Sequence, residues 1–174
     1  MHTTAAKILW QCTAAGLIIT MLSGAVLHFV YQWSQENVII GLFVPVNEST
    51  WEHMKMLFYP MFLLTMAEYF FLEDRIPGLL FANTAGLLAG LSAIPLIFYT
   101  YTALLGRNFL PLDILTFAVS VIIAWLGSYM ISLSALRPWP EILCVLILFL
   151  LLTAFIVFTY APPDFFLFTA PPAA

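Results

Sequence analysis

Five long apolar runs, separated by short polar turns, constrain this 174-residue chain more than any other feature of its sequence. The chain is 63% hydrophobic and only 8% charged, whereas roughly a quarter of the residues in soluble domains are charged. Because a bilayer offers no partners for exposed backbone groups, runs of this length are expected to form helices. Barrel strands would alternate apolar and polar residues, which these runs do not. We therefore predict an all-α membrane protein, a bundle of about five transmembrane helices with one short interfacial or re-entrant segment.

The lengths of the runs indicate where the chain crosses the membrane. The first run begins like a signal peptide, but its apolar character continues for about 20 residues, which favours a retained span. Residues 38–46 are apolar but too few to cross a bilayer, and Pro45 interrupts them. We predict that residues 38–54 form the interfacial or re-entrant segment. The single membrane domain, residues 1–174, is then predicted to have spans at about residues 8–31, 55–72, 78–105, 112–136 and 142–160.

The charged residues exclude one class of partner and indicate an orientation. A net charge of −4 with only five Lys and Arg residues provides no electrostatic surface for nucleic acid, so the expected partner is the lipid bilayer. Five spans put the termini on opposite faces. Lys7, Arg75 and Arg137 then share the N-terminal face, while Lys55 and Arg107 share the other. Because basic residues favour the cytoplasmic side of a membrane, we predict a cytoplasmic N-terminus.

The most chemically varied segment is V-P-V-N-E-S-T-W-E-H-M-K, residues 44–55, which we call the motif. Its last nine residues contain two carboxylates, an imidazole, an amide, two hydroxyls and an ammonium group. The five-span topology brings the motif to the same face as His28, Tyr101, Arg107 and Asp113. We therefore expect a polar pocket at one surface of the membrane.

One interpretation of the motif is purely structural. Asn47 or Ser49 is a suitable N-cap for the second span, and Glu52, three residues after Ser49, completes the pattern of a capping box. A Glu52–Lys55 ion pair and a Trp51 anchor at the membrane surface then account for much of the remaining polarity. Charged groups beside the apolar slab are expensive, however, and normally face a bundle interior or water. A functional interpretation therefore stays open.

A second interpretation is a site for a divalent metal such as zinc, with His28, Glu48, Glu52 and His53 as ligands. Imidazole nitrogens and carboxylate oxygens are ligands that zinc accepts. Glu52 and His53 are adjacent, however, so on a regular helix their side chains point about 100° apart. Both can reach one ion only if the start of the helix is distorted.

A third interpretation, which we prefer, is acid–base catalysis on a lipid-linked or amphipathic substrate. Two neighbouring carboxylates drive their protonation equilibria apart, so that one serves as an acid and the other as a base. Arg107 and Lys55 suit the anionic part of such a substrate. The predicted catalytic residues are Glu48, Ser49, Glu52 and His53, and the predicted substrate-binding residues are Asn47, Trp51, Lys55, Tyr101 and Arg107.

Two further functions remain open on the sequence. A small transporter or channel-like subunit would use Glu48 and Glu52 as proton or cation carriers, although spans four and five carry few polar groups at mid-depth. A membrane partner protein would expose the motif as a docking surface. Gly86 and Gly90 form a G-x-x-x-G pair, which allows close helix approach either within the bundle or across a homodimer.

Several groups of residues are also shared with a known family, and they extend over nearly the whole chain. They are residues 23–24, 27–29, 31, 33, 41–49, 51–53, 55, 98–102, 105–106, 113–114, 162–163 and 167–168. On these residues the chain resembles an uncharacterised family, a domain of unknown function, of small bacterial multi-spanning proteins that share a P-V-N-E-S-x-W-E-H-x-K motif. The resemblance implies an integral protein of the bacterial cell membrane with about five helices and no established activity. Residues 169–174 lack the polar tail that is typical of similar proteins.

Overall fold

The computed structural model describes residues 3–134 and 136–171, and all regular secondary structure in this part of the chain is helical. Five helices are long and apolar enough to cross a membrane, which confirms the predicted fold class. The end of the tail, residues 172–174, lies outside the described residues. In chain order the helices are α1 (Thr3–Trp33), α2 (Val38–Gly41), α3 (Thr50–Leu72), α4 (Leu79–Leu105), α5 (Leu110–Leu133) and α6 (Glu141–Tyr160), followed by a 3-10 helix at Phe166–Phe168.

One difference between the helix bounds and the sequence expectation lies within the motif. The helix that the sequence predicts from residue 55 begins at Thr50, so the second half of the motif already belongs to α3. The expected interfacial segment, residues 38–54, contains one short helix before the motif, α2. Asn37 caps this helix, because its side-chain Oδ1 accepts hydrogen bonds from the N–H groups of Ile39 and Ile40 at 2.9 and 3.3 Å.

The bundle is held together chiefly by α4 and α5, whose contact is the most extensive in the molecule. Gly86 and Gly90 lie buried in this contact. A Cβ atom added at Gly90 would lie only 2.9 Å from the Ser120 carbonyl oxygen and from a methyl group of Leu57. The pair therefore provides close packing within the chain, which is one of the two roles that its spacing allows.

The remaining helices surround this pair. Helix α3 packs on α4 and on α1, α1 also packs on α5, and α6 lies against α4 and α3. The antiparallel course of the helices brings five helix ends together: the ends of α1, α4 and α6 and the starts of α3 and α5. We call this end of the bundle the motif face, because the motif lies here.

Candidate functional site

The start of α3 is fixed by two short side chains of the motif. Ser49 is the N-cap, with its Oγ accepting a hydrogen bond from the Glu52 N–H at 3.3 Å. Asn47 supports it, since its Oδ1 accepts the Ser49 N–H at 2.8 Å. Of the two residues that the sequence offers as caps, Ser49 is therefore the cap and Asn47 forms the turn before it. The reciprocal bond of a capping box is replaced, because the Glu52 carboxylate bonds elsewhere.

Glu52 and Lys55 form a buried ion pair that faces the bundle interior. The Lys55 Nζ lies 2.7 Å from the Glu52 Oε2, and the side chains are 0% and 2% exposed. The same Glu52 oxygen also accepts the N–H of Val46 at 2.9 Å. The ion pair of the structural interpretation is thus confirmed. A charged pair removed from water to this degree is tolerated only with such additional hydrogen bonds.

Lys55 also connects the irregular segment before α3 to the last turn of α6. Its Nζ lies within hydrogen-bond distance of the carbonyl oxygens of Gly41 and Val44, at 3.0 and 3.2 Å. It reaches the Thr159 Oγ on α6 at 2.5 Å. An ammonium group has three protons, and these three acceptors together with Glu52 engage all of them. We call Glu52 and Lys55 the buried pair, and Thr159 is its acceptor on α6.

Two tyrosines fix neighbouring carbonyl groups, one in α2 and one directly after it. Tyr59, one turn after Lys55 on α3, donates a hydrogen bond to the Leu42 carbonyl at 2.7 Å. Tyr160 at the end of α6 donates to the Val38 carbonyl at 2.9 Å. Irregular backbone at membrane depth is tolerated only where its polar groups find partners within the protein. These side chains supply such partners, which explains how the segment after α2 remains packed on the bundle.

Trp51 occupies an aromatic cluster and is nearly buried. Its ring centroid lies 4.6 Å from that of Phe155 on α6 and 4.9 Å from that of Phe168 in the 3-10 helix. Trp51 therefore packs the motif against the end of the chain. The sequence assigned it either to substrate binding or to an anchor at the membrane surface, and its contacts are those of a core residue.

The other half of the motif forms an open cluster with α1. Glu48 is 68% exposed, and its two carboxylate oxygens face two half-buried histidines. The Glu48 Oε2 lies 3.4 Å from the His53 Nε2, and the Oε1 lies 4.0 Å from the His28 Nε2. The imidazole rings of the histidines are 5.3 Å apart between centroids. One ligand atom from each of the three residues lies within 4.8 Å of the others. We call this group the open cluster.

The backbone orients one of these histidines toward Glu48. The His53 Nδ1 lies 3.0 Å from the Ser49 carbonyl oxygen. The Ser49 carbonyl can only accept, so Nδ1 donates this hydrogen bond and Nε2 is the ring nitrogen that faces Glu48. Bonding of the second ring nitrogen to a backbone carbonyl is typical of metal-binding histidines. The His28 Nδ1 is buried and finds no hydrogen-bond partner among the described residues.

The structure thus divides the four predicted metal ligands. His28, Glu48 and His53 come together, whereas Glu52 points into the bundle toward Lys55. The separation follows from the helix itself, since adjacent residues point about 100° apart. Of the predicted catalytic residues, Glu48 and His53 lie in the open cluster, and Ser49 is buried as a cap.

The predicted substrate-binding residues are similarly divided. Lys55 is fully buried with all of its protons engaged, and Asn47 and Trp51 have the structural contacts described above. Tyr101 hydrogen-bonds the carboxylate of Asp113 and joins the end of α4 to the start of α5. Arg107 is exposed in the turn between these helices, 5.8 Å above the Phe109 ring.

Three residues that hold the site were missed by the sequence analysis: Tyr59, Thr159 and Tyr160. The two tyrosine hydroxyls donate to backbone carbonyl groups before α3, and the Thr159 hydroxyl accepts from Lys55. A signal for two of them was present, because Thr159 and Tyr160 are adjacent polar residues at the end of a span that is otherwise nearly purely apolar. Tyr59 lies one turn after Lys55, on the same side of α3.

Five helices long and apolar enough to cross a membrane, around a polar motif at one end, fit the class of multi-pass membrane proteins. The chain belongs to the Family of unknown function (DUF6512), whose sequence model matches residues 1–171. This match confirms the resemblance to a family of unknown function, while the shared motif and the bacterial origin stay predictions. Comparison with curated proteins found no match, and neither did comparison with solved structures.

Proposed function

We propose that this protein is a metal-dependent membrane enzyme whose site lies in the open cluster at the motif face. His28, Glu48 and His53 hold one divalent metal such as zinc. The observation that carries the proposal is the convergence of three ligand atoms, from three different parts of the chain, to within 4.8 Å of one another. Two imidazoles and one carboxylate form a ligand set typical of catalytic zinc, which keeps its fourth position open.

The distances within the cluster support a tetrahedral ion. With metal–ligand bonds of about 2.0–2.1 Å, ligand atoms lie about 3.4 Å apart. The His53 Nε2 and Glu48 Oε2 have this separation already, at 3.4 Å. The His28 Nε2 lies 4.0 Å from the other Glu48 oxygen, Oε1. Since the three ligand atoms lie within 4.8 Å of one another, a shared ion requires the widest pair to close by up to about 1.4 Å. Glu48 is exposed and lies before the first residue of α3, so its side chain is free to make this adjustment.

The chemistry that suits such a site is hydrolysis of a lipid-linked or amphipathic substrate. A metal with an open position favours the hydroxide form of bound water. A metal held by His28, Glu48 and His53 would supply such an activated water. In the hydrolysis the water oxygen would join the acyl carbon or phosphorus, the bond to the leaving oxygen would break, and a proton from the water would end on that leaving oxygen. Because the cluster lies at the ends of membrane-crossing helices, a substrate with one polar end and one apolar end suits its position. We also propose that the protein lies in the bacterial cell membrane with its N-terminus in the cytoplasm.

The contacts favour the enzyme over the two alternatives. A carrier that uses both carboxylates needs both to be free, and Glu52 is held by Lys55 and Val46. A docking surface needs an exposed motif, and residues 49–52 and 54–55 of the motif are buried. Within the enzyme proposal, we assign metal binding to the open cluster. Glu52, Ser49 and Lys55 are positioning residues that hold the motif in shape.

Elemental analysis of the protein, purified without chelators, tests the proposal. We expect about one equivalent of zinc or a similar divalent metal per chain in the wild type. His28→Ala and His53→Ala are expected to lower the metal content at least tenfold, since loss of a ligand weakens the site severely. Asp164→Asn is a matched control, because Asp164 is an exposed carboxylate on the same face outside the cluster.

Two results would overturn the proposal. One is a wild-type protein that binds no added zinc, manganese, cobalt or nickel in equilibrium dialysis. The other is metal content that stays at the wild-type level in both histidine variants, which would put any bound ion elsewhere.

A further inference from the structure

A groove along the outer face of α4 lies apart from the open cluster. It consists of two adjoining cavities of about 670 and 700 Å³, which share Tyr99, Ala103 and Phe166 as lining residues. Both are shallow and open on their outer side. The groove follows α4 from its middle to the turn before α5. It therefore extends from the depth of the membrane to its surface.

The deep part of the groove has the walls that an acyl chain requires. One wall is a single stripe of α4 at helical spacing, and the other is the tail segment Phe165–Leu167. The Tyr99 hydroxyl donates a hydrogen bond to the Phe166 carbonyl at 3.2 Å, which fixes the tail beside the helix. Leu96 and Phe166 are 70% and 55% exposed, so the groove opens toward lipid. The α4 stripe consists of Ser92, Pro95, Leu96, Tyr99, Thr100 and Ala103.

The surface end of the groove carries a positive charge. It is lined by Gly106, Arg107 and Asn108 of the α4–α5 turn and by the tail from Thr169. Only two Lys or Arg residues lie on the motif face, and Lys55 is fully buried and paired. Among the described residues, Arg107 is thus the one basic side chain that is exposed on this face.

We propose that this groove binds one phospholipid with a net anionic headgroup. An acyl chain lies against α4 between Ser92 and Ala103, and the phosphate of the headgroup contacts Arg107. A guanidinium group forms paired hydrogen bonds with phosphate oxygens, which suits this pairing. The groove does not include the open cluster, so lipid binding does not depend on a bound metal. It is adjacent to the motif, however, because the Tyr99 hydroxyl accepts a hydrogen bond from Thr50 at 3.1 Å.

Native mass spectrometry of the purified protein with defined lipids tests the inference. The probes are phosphatidylglycerol and phosphatidylcholine with the same acyl chains. We expect retention of one phosphatidylglycerol per chain, with about a fivefold preference over phosphatidylcholine. Arg107→Gln is expected to abolish this preference. Arg75→Gln, which removes an exposed arginine from the opposite face, is expected to keep it.

A second pair of variants tests the deep part of the groove. Ala103→Trp fills both cavities at their shared wall, and we expect it to reduce retention of both lipids severalfold. Leu104→Trp is the matched control, since Leu104 is 81% exposed and does not line the groove. Equal retention of the two lipids by the wild type would overturn the inference, as would wild-type retention in Ala103→Trp.

The lipid and metal proposals fail separately in this design. Arg107→Gln and Ala103→Trp are expected to keep the wild-type metal content, because neither residue belongs to the open cluster. His53→Ala is expected to keep the lipid preference. Loss of metal together with loss of lipid in any one of these variants would indicate unfolding, which thermal unfolding of the same sample detects.

Discussion

Two halves of one motif face opposite environments, although they alternate along the chain. Glu52 and Lys55 are removed from water and bond to one another, while Glu48 and His53 remain accessible beside His28. Both halves contain a carboxylate and a nitrogen base three to five residues apart. Within α3 the difference is one of direction, because a helix turns about 100° at each residue. Glu48 lies before the first residue of the helix and is exposed.

The density of polar residues in a membrane motif need not be due to one site. The charges of the buried half are engaged in contacts that stabilise the fold, since Lys55 donates hydrogen bonds to two backbone carbonyls and to a side chain of α6. The open half makes few bonds that the fold requires. Its groups are therefore free for a ligand, and the ordered backbone beneath them keeps them in place. A rigid support under converging ligands is what a functional site needs.

The largest effect is expected from breaking the buried pair. Lys55→Met leaves the Glu52 carboxylate in the bundle interior without its cation, and we expect a loss of about 3–5 kcal/mol of stability. Thermal unfolding in detergent micelles measures this loss. Lys7→Met is the control, because Lys7 is exposed at the other end of the bundle and is expected to change stability by less than about 0.5 kcal/mol.

A double variant sharpens this test. Adding Glu52→Gln to Lys55→Met removes both charges, and we expect it to be more stable than Lys55→Met alone, because no buried charge is left unpaired. A double variant that is as unstable as the sum of its single changes would contradict the view that the pair is held as a unit.

A smaller effect is expected from one of the side chains that holds the segment after α2. Tyr59→Phe removes the hydroxyl that donates to the Leu42 carbonyl at 2.7 Å and keeps the ring. The expected loss is about 1 kcal/mol, the usual value of one hydrogen bond. Thermal unfolding measures it, and Tyr129→Phe serves as the control, since Tyr129 packs its ring against Trp10 at the far end of the bundle. Equal losses in the two variants would remove the special role of Tyr59.

The fold was predictable to the level of helix number and order, because length and hydropathy alone specify what a bilayer accepts. The start of α3 was predictable from its capping residues and not from hydropathy. The polar residues between Thr50 and Lys55 look like a surface segment when only hydropathy is considered, and they become helical because Ser49 caps them and the interior supplies partners for Glu52 and Lys55. Local capping chemistry, present in the sequence, was the better guide at this boundary.

The approach of His28 to the motif was predictable from the sequence, and the division of the motif into a buried and an open half was not. Topology brought His28 to the motif, since the end of α1 and the start of α3 share a face. Which carboxylate is buried depends on Thr159, which is 104 residues from Lys55, and on the packing of α6 against α3. The packing of Trp51 was not predictable for the same reason, as its aromatic partners Phe155 and Phe168 lie far along the chain. Contacts of such sequence separation leave no local pattern.

The smallest effect on stability is expected from a change in the open half. This change tests whether the open half is separate from the structural half. Glu48→Gln changes an exposed side chain, and we expect it to alter the stability of the metal-free protein by less than about 0.5 kcal/mol. With zinc at about 100 times its dissociation constant, the wild type gains about 2.7 kcal/mol, because only the folded state presents the site. Thermal unfolding with and without zinc is expected to show this gain in the wild type and in Asp164→Asn, and to show it lost or strongly reduced in Glu48→Gln. A variant that loses stability without metal would mean that Glu48, like Glu52, belongs to the fold, and the division of the motif into a structural half and a functional half would then be wrong.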